Sequence, residues 1–149
     1  METDKLSTFA AQCSAAILTV YPHWRNYIVS DTEEKRPHQP NDNDFIIEIP
    51  SRSRSDHKPL FVHTDSDFEY LIVGLGPGWA EFADWHEDRG IEGVVSDALN
   101  CVKDIMDEKL VGVRLKRGWR LFQPEQLGQY NDVWEVVSWK GTFDFHRDA

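Results

Sequence analysis

Residues 91–122 read IEGVVSDALNCVKDIMDEKLVGVRLKRGWRLF, and the hydrophobic period changes inside this stretch. Ile91, Val94, Val95, Ala98, Leu99, Val102, Ile105, Met106 and Leu110 recur every three or four residues, the spacing of one face of a helix. The opposite face carries Glu92, Ser96, Asp97, Asn100, Lys103, Asp104 and Asp107, with Cys101 near the flank of the apolar stripe. From Val111 the period is two: Val111, Val113 and Leu115 alternate with Gly112, Arg114 and Lys116. Arg117-Gly118 then has the composition of a hairpin turn into Trp119–Phe122. One long helix running into a hairpin is the signature of an α+β chain rather than of regular strand–helix alternation.

The flanks agree. Leu6, Phe9, Ala10, Cys13, Ile17, Val20, Tyr21 and Trp24 keep helical spacing. Thr3 and Asp4 are the expected N-caps, and Pro22 ends the helix at Tyr21. Residues 31–44 (DTEEKRPHQPNDND) hold two prolines and no aliphatic residue, so a mobile polar loop is expected there. Phe45–Ile49, Leu60–His63 and Phe68–Val73 read as strands, with polar connections at Ser51–Pro59 and Thr64–Asp67 and a stop at Gly74–Gly78. After the hairpin, Pro124–Leu127 reads as a helical turn, Val133–Trp139 as a strand, and Thr142–Phe145 as its return. The expectation is a single α+β domain over 1–149. It has a mainly antiparallel sheet of about six or seven short strands and two helices packed on one face.

Composition narrows the function. Of 149 residues, 40% are hydrophobic and 28% charged, which suits a soluble globular chain and is too apolar for a disordered one. No apolar run approaches the 18 or so residues of a membrane span, and the acidic start is not a secretory signal, so a cytoplasmic protein without a membrane partner is expected. Cys13 and Cys101 form no CxxC, which leaves no disulfide scaffold or cysteine-rich zinc site. A net charge of −10 argues against generic nucleic-acid binding.

That charge is uneven. The window 65–92 carries eight acids and one base, Arg89, and holds −7 of the total. It also contains Phe68, Tyr70, Trp79, Phe82 and Trp85. Two readings compete for its most concentrated part, GWAEFADWHEDR at residues 78–89. The spacing 79, 82, 85 fits a short amphipathic turn whose aromatics join the core. Alternatively, the aromatics are exposed anchors ringed by carboxylates that steer a basic protein partner. The candidate partner-binding residues are Trp79, Glu81, Asp84, Trp85, His86 and Asp88. The opposite charge gathers in the hairpin, where Arg114, Lys116, Arg117 and Arg120 occur with no acid from Val111 to Gln123. Basic residues there protect an edge strand from aggregation, or else pair with an acidic surface.

Catalytic patterns are weak. Gly74-Leu75-Gly76-Pro77-Gly78 follows a strand but lacks the spacing of a dinucleotide loop, and no Lys-Ser/Thr follows it. His63, Asp65 and Asp67 would share a face in one continuous strand and serve a divalent metal, although turn composition interrupts that strand. His86 beside Glu87 and Asp88 has the neighbours of a general base. Neither H-E-x-x-H nor G-x-S-x-G is present. No catalytic residue, metal or cofactor is assigned. A metal-dependent or acid–base enzyme using His63/Asp65/Asp67 or His86 stays as an alternative, as does a nucleic-acid mimic built from carboxylates.

One likeness bears on function. Val73-Gly74, then Gly78-Trp79, Phe82 and Asp84-Trp85, resembles a pattern in small uncharacterised bacterial α+β domains. Some of these are similar to the immunity proteins that accompany polymorphic toxins. In that pattern a His-x-His-Phe unit follows the tryptophan. Here the residues are Trp79-Ala80-Glu81-Phe82, so no metal or catalytic role carries over. The likeness spans roughly residues 45–110. It implies a small, acidic, cytoplasmic, non-catalytic domain that neutralises a basic toxin.

Overall fold

Ser7 opens the first helix in a computed structural model of the chain, which describes residues 6–29, 43–50 and 59–147. Its hydroxyl accepts the Ala10 amide at 3.0 Å and caps α1 (Thr8–Val20). The expected caps Thr3 and Asp4 lie outside the described residues, as does most of the expected 31–44 loop. Phe9, Ala10, Cys13 and Ile17 are buried along one face, as the spacing predicts; Leu18, outside that spacing, is buried as well, and Val20, within it, is 56% exposed. Pro22 stops the helix and opens a 3₁₀ segment, Pro22–Tyr27, whose Trp24 is buried and stacks on Tyr21 at 4.1 Å.

The strands form two antiparallel sheets of four, where the sequence suggested one larger sheet. In the first the order is β1 (Ile46–Ile49), β2 (Leu60–Asp65), β3 (Tyr70–Leu75) and β4 (Gly78–Phe82). β4 is a correction: the 79, 82, 85 spacing imitates a helical turn, but Gly76-Pro77 makes a tight reversal that sends the chain back as a strand. Gly76 sits at φ +54, a conformation glycine adopts without strain. β2 also runs two residues past its expected end because Thr64 is fully buried and fastened.

α2 (Gly90–Met106) buries Val94, Val95, Ala98, Cys101, Val102 and Ile105. It closes with Glu108 in the left-handed region at φ 57, Glu108 N donating to Ile105 O at 3.0 Å and Lys109 N to Asp104 O at 2.8 Å. This is a Schellman closure with glutamate where glycine is usual. The Glu108 carboxylate accepts from Lys140 N, Thr142 N and Thr142 Oγ1, the last at 2.6 Å, and so fixes the loop that follows β7.

The 17-residue α2 separates β4 from β5, so the later strands pair among themselves in the order β6-β5-β7-β8. β5 is Val111–Leu115, β6 Gly118–Phe122, β7 Val133–Val137 and β8 Phe145–His146. Val111, Val113, Phe122 and Val136 form a core on one face, with Leu115, Leu127 and Val133 against it. Leu127 comes from the 3₁₀ segment Pro124–Gln129, where a helical turn was expected.

Contacts group the described residues into two compact units. The first is drawn from Met1–Ile49, Phe61–Ile72 and Glu81–Leu99; the second from Pro50–Leu60, Val73–Ala80 and Asn100–Ala149. The second unit explains the glycine run that invited a phosphate-loop reading. A Cβ on Gly112 would lie 1.9 Å from the Leu75 carbonyl oxygen, and one on Gly78 would lie 2.2 Å from that of Arg120. The glycines let the β3–β4 turn lie backbone against backbone on β5 and β6.

Candidate functional site

The acidic, aromatic window resolves into a fastened turn and a fastened loop. The turn is residues 66–69, between β2 and β3. The buried carboxylate of Asp44 holds it, accepting from Thr64 Oγ1 at 2.8 Å, from Ser66 N at 2.9 Å and from the Ser66 hydroxyl. Ser66 Oγ also meets Ser7 Oγ at 2.5 Å, and Thr64 Oγ1 accepts the Phe45 amide at 2.9 Å. Glu69 takes a left-handed conformation at φ 55, which sends the chain into β3 and leaves Phe68 outside.

The loop is residues 83–89, between β4 and α2. Its organiser is Asp84. One carboxylate oxygen accepts the Asp88 and Arg89 amides at 3.2 and 3.1 Å, and the other accepts the Gly90 amide at 2.8 Å. These amide bonds, that from Gly90 foremost, hold the Asp84 carboxyl below its usual range. Glu87 turns the chain at φ 55, and Arg89 grips Asp97 of α2 through two nitrogens at 2.5 and 3.2 Å. Trp85, His86, Glu87 and Asp88 stand exposed on this frame.

The turn, the first residue of β3 and the loop together carry a ladder of three rings. Phe68 lies 5.5 Å from Tyr70, and Tyr70 lies 5.3 Å from Trp85, centroid to centroid. Phe68 is 67% exposed and Trp85 62%, so the outer rungs face solvent. Asp67, Glu69, Glu87 and Asp88, neighbours of these rungs in the chain, are exposed as well. Exposed large aromatics in one group, edged by one sign of charge, differ from scattered surface hydrophobics, which need no explanation.

The six residues singled out from sequence therefore part company. Glu81, Trp85, His86 and Asp88 are exposed. Asp84 is committed to three amides and serves as a frame. Trp79 is half-buried on β4 with its ring 5.6 Å from Trp119 of β6, while Trp85 joins Tyr70. Phe68 and Tyr70 were not among the six. Their membership of the acidic window was the available signal, but the ring contacts depend on folding.

The catalytic alternatives receive a different geometry. His63 is buried on β2 with its ring 5.7 Å from Phe61 and Nδ1 3.3 Å from the Thr64 carbonyl. Asp65 Oδ1 accepts the Asp67 amide at 3.2 Å across the turn that parts these residues. Among the described residues no three His, Cys, Asp or Glu side chains are grouped to hold a metal ion. Burial pushes the thiols of Cys13 and Cys101 up to about 12, opposite to the shift that activates a nucleophilic thiolate. No described helix is long and apolar enough to cross a membrane. Comparison with family models, with curated proteins and with solved structures finds no match.

Proposed function

We propose that this chain is a non-catalytic acidic binding domain that captures a basic protein partner through Phe68, Tyr70, Trp85 and the carboxylates beside them. The observation that carries this reading is the exposed ladder, with Phe68 and Trp85 more than half open to solvent. Exposing that much ring area to water is unfavourable for an isolated protein and useful at an interface, where Trp and Tyr dominate binding energy. The acids supply a long-range field that favours a positively charged partner and speeds encounter. The fixed turn and loop reduce the ordering cost of binding, because Asp44 and Asp84 hold both rungs before the partner arrives. A bacterial immunity protein that neutralises a basic toxin is the most concrete form of this reading.

The test is capture from the native source's lysate with wild type, with Trp85→Ala, and with a Glu87→Gln/Asp88→Asn pair. A single basic protein kept by wild type, lost by Trp85→Ala and weakened at moderate salt is the expected result. Loss on the acid pair alone, with Trp85→Ala unaffected and DNA competing, would replace this reading with nucleic-acid mimicry. Equal retention by all three proteins would remove the ladder from any binding role.

A further inference from the structure

A second candidate site lies within the second unit and uses none of the ladder's residues. The strand register sets a row of four side chains there. Arg114 of β5 stands opposite Trp119 of β6 and Glu135 of β7, and Glu135 stands opposite His146 of β8. Directly opposed residues of antiparallel strands share a face. The row Trp119–Arg114–Glu135–His146 therefore crosses all four strands on the face opposite the Val111–Val113–Val136 core. The next row on this face is Leu121, Gly112 and Val137. The β3–β4 turn covers it, with Leu75 against Gly112 and Gly76 against Val137. Trp79 sets its ring against Trp119, so that flank is walled.

Arg114 stands out in this row. Glu135 is its cross-strand neighbour, yet the Glu135 carboxylate lies toward His146, Oε2 to Nδ1 at 3.7 Å. The Arg114 guanidinium sits over the Trp134 ring at 5.8 Å. Its Nε is removed from solvent with no hydrogen-bond partner, and among the described residues no carboxylate pairs with the guanidinium. A buried donor without an acceptor is unfavourable, and more so on a cation. Lys116, Arg117 and Arg120 add positive charge along the same hairpin, with no acid from Val111 to Gln123.

We propose that this row binds an oxyanion carried on a flat ring, with the carboxylate or phosphate on Arg114 and the ring against Trp119. The guanidinium presents a planar fork of donors matched to either oxyanion. Trp119 is 47% exposed and offers a π face one strand away, held from behind by Trp79. Glu135 on the other side repels an anion, which fixes the ligand's direction toward Trp119. Lys116 and Arg117 at the hairpin turn raise the local anion concentration, while Arg120, opposite Val113, lies on the other face.

The test follows the Arg114 Nε–H resonance by NMR in the full chain, titrated with benzoate, phenyl phosphate and adenosine monophosphate. Acetate, inorganic phosphate, benzamide and sodium chloride are the comparisons. The expected result is a saturable shift with ligands that carry both ring and oxyanion, weaker with either part alone. A tighter phosphate series would assign phosphate as the natural group, and a tighter benzoate a carboxylate. Read through the Trp119 indole N–H resonance, Arg114→Gln abolishes binding and Arg114→Lys retains part of it; read through Arg114 Nε–H, Trp119→Ala weakens binding about fivefold and Lys140→Gln leaves it unchanged. Circular dichroism checks that each variant is folded. An Arg114 resonance unmoved by every ring-bearing anion up to about 10 mM, or moved equally by sodium chloride, would overturn the proposal and leave Arg114 a packing residue.

Discussion

Asp44→Ala removes the buried carboxylate that fastens the Phe68 turn. Three donors lose their acceptor: Thr64 Oγ1, Ser66 N and Ser66 Oγ. Thr64 is fully buried and its oxygen already accepts the Phe45 amide, so its proton has nowhere equivalent to turn. Hydrogen bonds to a charged group contribute about 1.5–3 kcal/mol net, and an orphaned buried donor adds a penalty of about 1–3 kcal/mol. Ser66 is only partly buried, and water recovers part of its loss. The expected destabilisation is therefore about 3–5 kcal/mol, a Tm fall of roughly 10 °C for a chain of this size. Asp44→Asn keeps an acceptor oxygen but brings an amide that needs its own partner, and should cost about 1–2 kcal/mol. Urea unfolding followed by circular dichroism measures both variants. A loss below about 1 kcal/mol for Asp44→Ala, with an unchanged m-value, would refute the idea that this network holds the turn.

Other expectations follow from burial and geometry. Cys13 and Cys101 should resist a thiol reagent such as Ellman's in the native protein and react fully once unfolded. Burial raises both thiols from 9.0 to about 12, so the folded state holds their protons more tightly and stability should fall as pH rises above 9, as pH-dependent denaturation will read. Asp84 shifts the other way: its contribution is present above the ordinary carboxylate range and lost as pH falls through its lowered value. Trp85 fluorescence should therefore change in that acid range in wild type and be altered already at neutral pH in Asp84→Ala. Gly112→Ala should be strongly destabilising, about 3 kcal/mol or more, because its Cβ would meet the Leu75 carbonyl at 1.9 Å and backbone must move; thermal melts will show it.

Periodic elements were readable and singular contacts were not. The α2 stripe and the Val111–Phe122 hairpin announce themselves because each repeats one spacing over many residues. β4 was hidden because Trp79, Phe82 and Trp85 are spaced as on a helix while a two-residue reversal at Gly76-Pro77 decides the geometry. Glu108 carries no turn signal in its residue type. Its left-handed backbone goes with a carboxylate that caps a loop more than thirty residues away. The acidic window was visible as charge and aromatic content. Which acids are free to act was not, since Asp84 differs from Asp88 only in the amides that folding brings to it. The pairing of Trp79 with Trp119, and of Trp85 with Tyr70, likewise depends on tertiary structure.

The most direct test of the binding proposal is the affinity of the captured basic protein for three forms of this chain: wild type, Trp85→Ala and Trp119→Ala. Trp85 packs on Tyr70 and Trp119 on Trp79, so thermal melts of both variants accompany the comparison and separate a loss of binding from a loss of folding. Trp85→Ala should weaken binding by about 2 kcal/mol or more, roughly thirtyfold, while Trp119→Ala stays within about twofold of wild type. Equal affinity for wild type and Trp85→Ala, or a loss confined to Trp119→Ala, would contradict the proposal.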